Sequence, residues 1–525
     1  MKSDAKGRAA EGQSTLGPEA EGPELVFALV GAVGTRLDLI SDALTKQLRN
    51  LRYTAETINL IDLVQRYHGF EQVDETDKAA ASKKKMDQGD AIRVRLQMAD
   101  ALAVAAVAEI QRSRMKALQA PDRPNPRHAY ILHSLKRPEE VATLREIYGD
   151  SFYLIAGYAP EDERREQLGK KIGDSRASGD PSIVDAQSLM DRDKRDRKKP
   201  FGQDVSETFP LADVFVNTSQ KHAPANDILR FVELLFGRPF LTPSKDEFGM
   251  FHATGAALRS ADLARQVGAA ILSQTGQILA LGTNDVPRFG GGLYWPGDID
   301  DQRDYLYEEK DLSYELRRQI LVDALAELDK AKLLAPSYKT KRREFIRKAT
   351  VAVRDARIML ITEYSRAVHA EMAAITDAAR IGISLHGATL YTTTFPCHNC
   401  AKHIVAAGLQ RLVYVEPYPK SQVRRFYRDS IVIDPVQENG DNYVAFVPFV
   451  GVAPRRYKDV FSMRPRKTDQ GEILDDIPGS MPTRSAPTVA YLENETTHIG
   501  KFSRKSEEVG LRLRKSRSSS ARRKS

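Results

Sequence analysis

The first ordered signal along the chain is a run of six apolar residues, Leu25 to Val30. It is followed by a glycine-bearing turn, Gly31-Ala-Val-Gly34-Thr35-Arg36, and by helix-period apolar positions over 37–51. An unbroken apolar run of that length predicts a strand buried on both faces. Strand, glycine turn and helix in succession predict the opening of a phosphate-binding α/β domain. The alternation continues with helical periodicity over 92–115, short apolar runs at 130–133, 152–156 and 211–216, and a helix over 138–148 closed by Gly149. Asp191 to Pro200 is charged and poor in apolar residues, which predicts a mobile loop or lid. Asp227 is placed as the cap of a helix ending at Gly237, with a domain boundary near it.

A second series opens at Gly249 with a helix to 264, a strand over 268–273, a turn at Thr275-Gly276 and a strand over 278–282. An insertion interrupts it from about 287 to 364, with a glycine run at 290–292 and helices expected over 312–334 and 342–360. The series resumes with a helix from His369 that ends before Gly382 and an alternating strand over 388–394. A helix from Pro396 stopped by Gly408 and a strand over 412–415 complete it. Residues 396–400 then lie at the carboxyl end of a strand, where open α/β sheets take ligands. Past Pro448 the periodicity fades, and beyond about 462 little fixed structure is expected.

Length changes the picture only by setting scale: 525 residues, 41% hydrophobic and 29% charged, predict two or three globular domains. Charge is more informative by its place than by its size. Residues 501–525 hold ten Lys/Arg and two Glu, which accounts for the whole net charge of +8 and leaves the rest of the chain neutral. Such a run reads as a solvated, disordered end, or less often as an arm that binds RNA or DNA. Two cysteines exclude a disulfide framework and point to a reducing compartment. The first 24 residues have no apolar core of a secretory signal, and the run at 25–33 is too short to span a bilayer. A cytoplasmic protein without a membrane partner is expected.

The two cysteines sit in Pro396-Cys397-His398-Asn399-Cys400, downstream of His369-Ala370-Glu371. This is the signature H-x-E…P-C-x-x-C, in which one His and two Cys hold Zn²⁺ while the Glu moves protons. Cys397 and Cys400, at i and i+3 in the first turn of a helix, share one face, and the positive helix end favours their thiolates. Three protein ligands leave a fourth position open, the mark of a catalytic site. Zinc lowers the pKa of bound water from about 15.7 towards about 7. Glu371 is placed to take that proton and deliver it to a ring nitrogen and then to a leaving amine. The pattern thus points to replacement of an amino group by oxygen on a nucleobase ring. A bare C-x-x-C redox pair or a core His369 would explain each half alone but not the pairing. His252, His398 and His403 have no partner at ligand spacing and read as structural or exposed.

Arg259 to Ala269, Gly282-Thr-Asn284-Asp-Val-Pro287, Val368-His-Ala-Glu371 and Pro396 to Cys400 together resemble the deoxycytidylate deaminase family in order and spacing. Tyr391 to His403 and Glu416 to Ser421 look still more like the bacterial anti-phage deoxycytidylate deaminases, which join an N-terminal P-loop kinase-like domain to the deaminase. The resemblance covers about 24–450. It implies an α/β fold with a P-loop nucleotide-kinase-like domain over 24–218, a linker helix over 219–248 and a three-layer α/β/α deaminase domain over 249–461. These would be flanked by a disordered N-terminus, 1–23, and a basic disordered tail, 462–525. It implies hydrolytic deamination of dCTP and dCMP, draining dCTP during infection, with one catalytic Zn²⁺ per chain and assembly into a homo-oligomer. It implies that Asn284 hydrogen-bonds the sugar and orients the ring. Ala373 departs from the Asn that ordinary dCMP deaminases often carry there, and an insertion without cysteine excludes a second thiolate-bound zinc.

The N-terminal turn lacks the Lys-Ser/Thr pair of G-x-x-x-x-G-K-[ST]. Gly31, Gly34, Thr35 and Arg36 are candidate contacts to a regulatory nucleotide; binding without transfer, a structural remnant and a true kinase all remain open readings. Two other functions compete with deamination of free nucleotides. One is a base deaminase acting on tRNA or single-stranded DNA with the tail as its arm. The other is a toxin-like module controlled by RNA at that tail. A neutral body and an insertion of mixed sign (Glu308, Glu309, Lys310, Asp311) favour the free nucleotide.

Overall fold

In the computed structural model the described residues are 22–514, apart from 177–178, 197–198, 221, 308–310, 355, 362–363, 416–420, 436–441, 464, 475–481 and 483–487. Most of the motif Glu416 to Ser421 therefore lies outside them, as does the segment 1–21.

Two six-stranded sheets organise the chain. The first contains β1 (Leu25–Gly31), β2 (Thr54–Asn59), β3 (His128–Leu135), β4 (Phe152–Tyr158) and β5 (Val214–Asn217), parallel in the order β5-β4-β1-β3-β2. β1 is central, which is why its side chains are apolar without alternation. Leu25, Phe27 and Leu29 pack beneath the helices Leu37–Asn50 and Pro224–Leu235, and Val26, Ala28 and Val30 pack beneath Ala101–Leu118. β2 is an edge strand with a mostly polar sequence, TAETIN, and carries no periodic signal. The strand order reverses between β1 and β3. The crevice at their carboxyl ends is thus where such a sheet takes a ligand.

Three expectations in this half need correction. The helix expected over 92–115 is two helices, Lys78–Leu96 and Ala101–Leu118, separated at Gln97, whose φ of 50° no continuous helix accepts. The loop expected from Asp191 begins as the last turn of a helix, Ile183–Lys194, because Ala186, Leu189 and Met190 bury a face against Leu168 and Ile172. The helix placed at Asp227 begins earlier, at Pro224, and Asp227 instead accepts from the backbone N–H of Asn217.

The second sheet runs β10-β11-β9-β8-β6-β7, from β6 (Gly268–Leu272), β7 (Ile278–Thr283), β8 (Thr389–Thr392), β9 (Arg411–Tyr414), β10 (Ile431–Ile433) and β11 (Val444–Pro448). β6 is antiparallel to β7 and β8, and the remaining pairs are parallel. Helix Lys245–Ala257 covers one face through Met250 and Ala253. Helices Ala370–Arg380 and His398–Ala406 cover the other through Ala374, Ala378, Ala401 and Ile404. This is a three-layer arrangement. The insertion forms a small cluster of its own around Leu321, Leu325, Tyr338 and Ile346.

The halves are not separate beads. One cluster of buried side chains extends from Val26 and Ala28 through Phe215 and Phe449 to Ala270, Tyr391 and Val413. A further strand, β12 (Gly451–Val452), pairs antiparallel with β5, so a segment expected to belong to the second domain closes the first sheet. Arg456 follows on helix Pro454–Phe461 and meets the buried Asp213 at 3.2 Å.

The expectation of a disordered tail over 462–525 fails for helix Thr488–Glu508. Tyr491 and Phe502 are buried against the first domain, and Glu495 meets Arg114 at 2.6 Å, each side chain 0% exposed. Arg114 also holds Glu24, at 2.5 Å, so both ends of the described chain converge on one guanidinium. Net charge over 501–525 hides this, because the apolar positions that dock the helix lie mostly upstream of it. Removing one partner of a buried pair costs about 3–5 kcal/mol. Glu495→Ala is therefore expected to lower the unfolding midpoint sharply in denaturant titration, and an unchanged midpoint would show that the helix is not docked. A truncation made to probe the tail must follow Arg514, because one at Met463 also removes this helix.

Candidate active site

Three potential metal ligands converge because two helices begin at the same place. His369 is the residue before helix Ala370–Arg380 and Cys397 the residue before His398–Ala406, both with extended backbone. Gly282 on β7 permits the approach of the first helix, since a Cβ there would lie 2.0 Å from the carbonyl oxygen of Ala370. A bridge between Asp285 and Val368 fixes the segment just ahead of His369.

His369 Nδ1 lies 3.3 Å from the sulfur of Cys397 and 3.3 Å from that of Cys400, and the two sulfurs are 3.6 Å apart. A tetrahedral zinc with sulfur bonds of about 2.3 Å and nitrogen bonds of about 2.0 Å separates its ligands by roughly 3.5–3.8 Å. The three residues therefore fit Zn²⁺ in donor type and in spacing. Among the described residues it is the one cluster of three such groups that does.

The electrostatics suit anionic sulfur. The backbone N–H of Cys400 donates to the sulfur of Cys397 at 3.4 Å. The hydrogen bond it shares with the Cys400 side chain at 3.6 Å holds Cys397 down to about 4. The same hydrogen bond, together with burial, pushes Cys400 well up. His369 is held above its ordinary value, chiefly by its hydrogen bond to Cys397. Glu371 is 3% exposed, with Oε2 3.4 Å from the Cys400 sulfur, and burial raises its carboxyl. A carboxyl that is reluctant to ionise beside a metal position is suited to accepting and returning a proton.

Asn284 stands one residue before Asp285, on the segment that braces His369, but its amide is engaged with the backbone. It donates to the Arg265 carbonyl at 2.8 Å and accepts from the Val267 N–H at 2.6 Å. Its visible task is to hold the 260–267 loop. Asn284→Ala is expected to leave the metal cluster intact and to destabilise the fold by about 1–3 kcal/mol through two unpaired backbone groups. An unchanged melting temperature would take the loop-holding role away from Asn284.

Gly31, Gly34, Thr35 and Arg36 lie elsewhere: Gly31 ends β1 of the other sheet, and the other three stand in the turn after it. Gly34 has a φ of 88°, and a Cβ on it would sit 3.0 Å from the Arg164 carbonyl oxygen. Arg36 does not face outward to a phosphate; its guanidinium donates to the Thr218 carbonyl at 2.9 Å. Sequence reasoning missed Lys136 and Asp193, which the fold brings to this turn from β3 and from helix Ile183–Lys194. Neither has a motif around it.

Residues 243–416 match the family model described as the cytidine and deoxycytidylate deaminase zinc-binding region. All four residues of the metal cluster and its acid lie within that segment. The deoxycytidylate deaminases of Enterobacteria phages T2 and T4 are each 51% identical over 55 residues, which is 10% of this chain and 29% and 28% of the phage proteins. ComE operon protein 2 of Bacillus subtilis (strain 168) is 38% identical over 61 residues, 12% of this chain and 32% of that protein. The chain thus spans only about a quarter to a third of the length of the curated relatives it matches. Among solved structures, dCMP deaminase from the cyanophage S-TIM5 in apo form aligns with 40% of this chain and 100% of its own, at 16% identity and a TM-score of 0.22.

Proposed function

We propose that the protein is a zinc-dependent hydrolytic deaminase of deoxycytidine nucleotides, converting dCMP, dCTP or both to the uridine forms. The observation that carries this reading is the buried Glu371 carboxyl beside the His369-Cys397-Cys400 cluster, inside the segment that matches the deaminase zinc-binding region. When bound by those three residues, zinc supplies a water acidic enough to ionise near neutral pH. Glu371 takes a first proton from the water and passes it to the ring nitrogen N3, then takes the second from the new C4 hydroxyl and delivers it to the amine, which leaves as ammonia while the C4 carbonyl forms. The carboxyl's burial keeps competing water away, and Phe395, packed edge-on to Tyr414 at 4.8 Å, stiffens the turn that carries Cys397.

The same reading places a nucleotide-binding but not phosphate-transferring domain at the N-terminus, since its turn has no lysine of its own. It takes depletion of dCTP during phage infection as the purpose, a homo-oligomer as the working form, and the basic C-terminus, 501–525, as a candidate RNA contact. No helix among the described residues is long and apolar enough to cross a membrane, and a cytoplasmic site of action is part of the proposal.

One observation favours a second reading, deamination within single-stranded nucleic acid. Exposed Trp295, Tyr305 and Tyr307 in the insertion each carry an arginine over the ring, Arg259 at 3.7 Å, Arg303 at 5.4 Å and Arg366 at 4.0 Å. Arginine and exposed aromatics are the elements of a base-stacking surface. Incubating the zinc-loaded protein with dCMP, dCTP, CMP, CTP and a cytosine oligonucleotide, with ammonia release as readout, separates the two. Turnover of dCMP or dCTP is expected, and turnover confined to the oligonucleotide would replace the first reading with the second.

A further inference from the structure

The turn after β1 already holds an anion, and that anion is part of the chain. Asp193 Oδ2 accepts from the backbone N–H of Val33 at 2.7 Å, and Oδ1 accepts from Lys136 Nζ at 2.8 Å. Lys136 also donates to the Gly31 carbonyl at 3.2 Å. Asp193 is 0% exposed, while Lys136 retains 18% exposure of its side chain. The two groups that clasp the carboxylate, a loop N–H beside a helix N-terminus and a lysine ammonium, are those that clasp a phosphate. They stand at the carboxyl ends of β1 and β3, where the strand order reverses.

Two more features belong to the same place. Thr35 Oγ1 is buried and finds no hydrogen-bond partner among the described residues. Beside Lys136 opens a cleft of about 450 Å³ lined by Arg137, Arg195, Lys199 and Phe201, with Arg354 contributed by the insertion of the catalytic half. That volume lies within the range of small-molecule sites; its four basic side chains outnumber the acidic Asp196 and Asp204, and Phe201 offers one aromatic face.

We propose that the β1 turn and Lys136 form a binding site for the phosphate chain of a nucleotide, and that the Asp193 carboxylate is an internal competitor occupying the phosphate position. The proposal rests on the reading of the first domain as nucleotide-binding and adds its gate. A nucleotide enters only as Asp193 withdraws, and withdrawal moves the end of helix Ile183–Lys194. Arg192 of that helix is tied to Asp87 at 2.9 Å and to Asp90 at 2.7 Å, so displacement also strains its seat on helix Lys78–Leu96. Arg354 of the insertion lines the same cleft as Arg195, the residue that follows this helix, so a nucleotide bound here would meet both halves of the protein. An affinity reduced by a competing closed state is restored when that state is weakened.

The test uses full-length protein, with ATP and inorganic pyrophosphate as probes in calorimetric titration. Asp193→Asn keeps the shape and loses the charge, and is expected to bind both probes at least about tenfold more tightly than the unaltered protein. Lys136→Ala is expected to abolish binding in either background, with melting curves confirming that each variant is folded. In the unaltered protein, ATP is expected to speed amide hydrogen exchange across 183–194, a readout that needs no variant. Binding that depends on Lys136 but is equal with and without the Asp193 charge, with no change in exchange, would overturn the gate and leave the nucleotide-binding reading standing. Absence of binding to folded Asp193→Asn would end both, and binding indifferent to Lys136 would put the site elsewhere.

Discussion

Glu371→Gln is expected to retain zinc and fold while losing deamination by a factor of about 10²–10⁴. The reasoning is geometric. The carboxyl sits 3.4 Å from the Cys400 sulfur, inside the helix that His369 begins, and is 3% exposed. It is not one of the three groups at metal-ligand spacing, so amidation removes a proton carrier without removing a ligand. Glutamine preserves the volume, and a buried neutral amide asks less of its surroundings than a buried carboxylate. Metal analysis and circular dichroism check the first half of the expectation and initial rates on dCMP and dCTP the second. Undiminished rates in zinc-replete variant would take the proton shuttle away from Glu371.

Cys400→Ala is expected to have the larger structural effect, abolishing both bound zinc and turnover. Its sulfur is 0% exposed and lies 3.3 Å from His369 Nδ1 and 3.6 Å from the Cys397 sulfur, so its loss leaves two ligands where a stable site needs three or four. Binding free energy for a metal that the unfolded chain does not hold is also folding free energy. The variant should therefore melt earlier than the unaltered protein and respond less to added zinc. Zinc content equal to that of the unaltered protein would show that the ligand set is wrong.

The metal cluster was legible in the sequence because each part is local. H-x-E and P-C-x-x-C each open a helix, and the order of elements around them is enough to bring the helix starts together. The central strand β1 was legible for a related reason, since a strand paired on both sides and covered on both faces shows as an unbroken apolar run. What escaped reading was set by neighbours distant in sequence. β2 is polar because it is an edge, and Gly451–Val452 is too short to carry a pattern, yet it closes the first sheet. Helix Thr488–Glu508 was hidden by a charge count that ignored Tyr491 and Phe502. Asp193 meets Val33 across 160 residues, and no spacing rule reaches that far. Asn284 was found by resemblance, but the fold gives its amide to the Arg265 and Val267 backbone, a task that single-sequence reasoning does not distinguish from contact with a sugar.

Hydrolytic deamination at a zinc site makes one demand that no other chemistry at this cluster shares: the oxygen that replaces the amine comes from water. Mass spectrometry of the nucleotide recovered after incubating zinc-loaded, full-length protein with dCMP and with dCTP in ¹⁸O-enriched water tests this directly. The account requires a deoxyuridine nucleotide carrying one solvent oxygen per turnover, with production lost on removal of zinc and restored on its return. Folded, zinc-replete protein that leaves both nucleotides unchanged, or that forms the product without solvent oxygen, would contradict it.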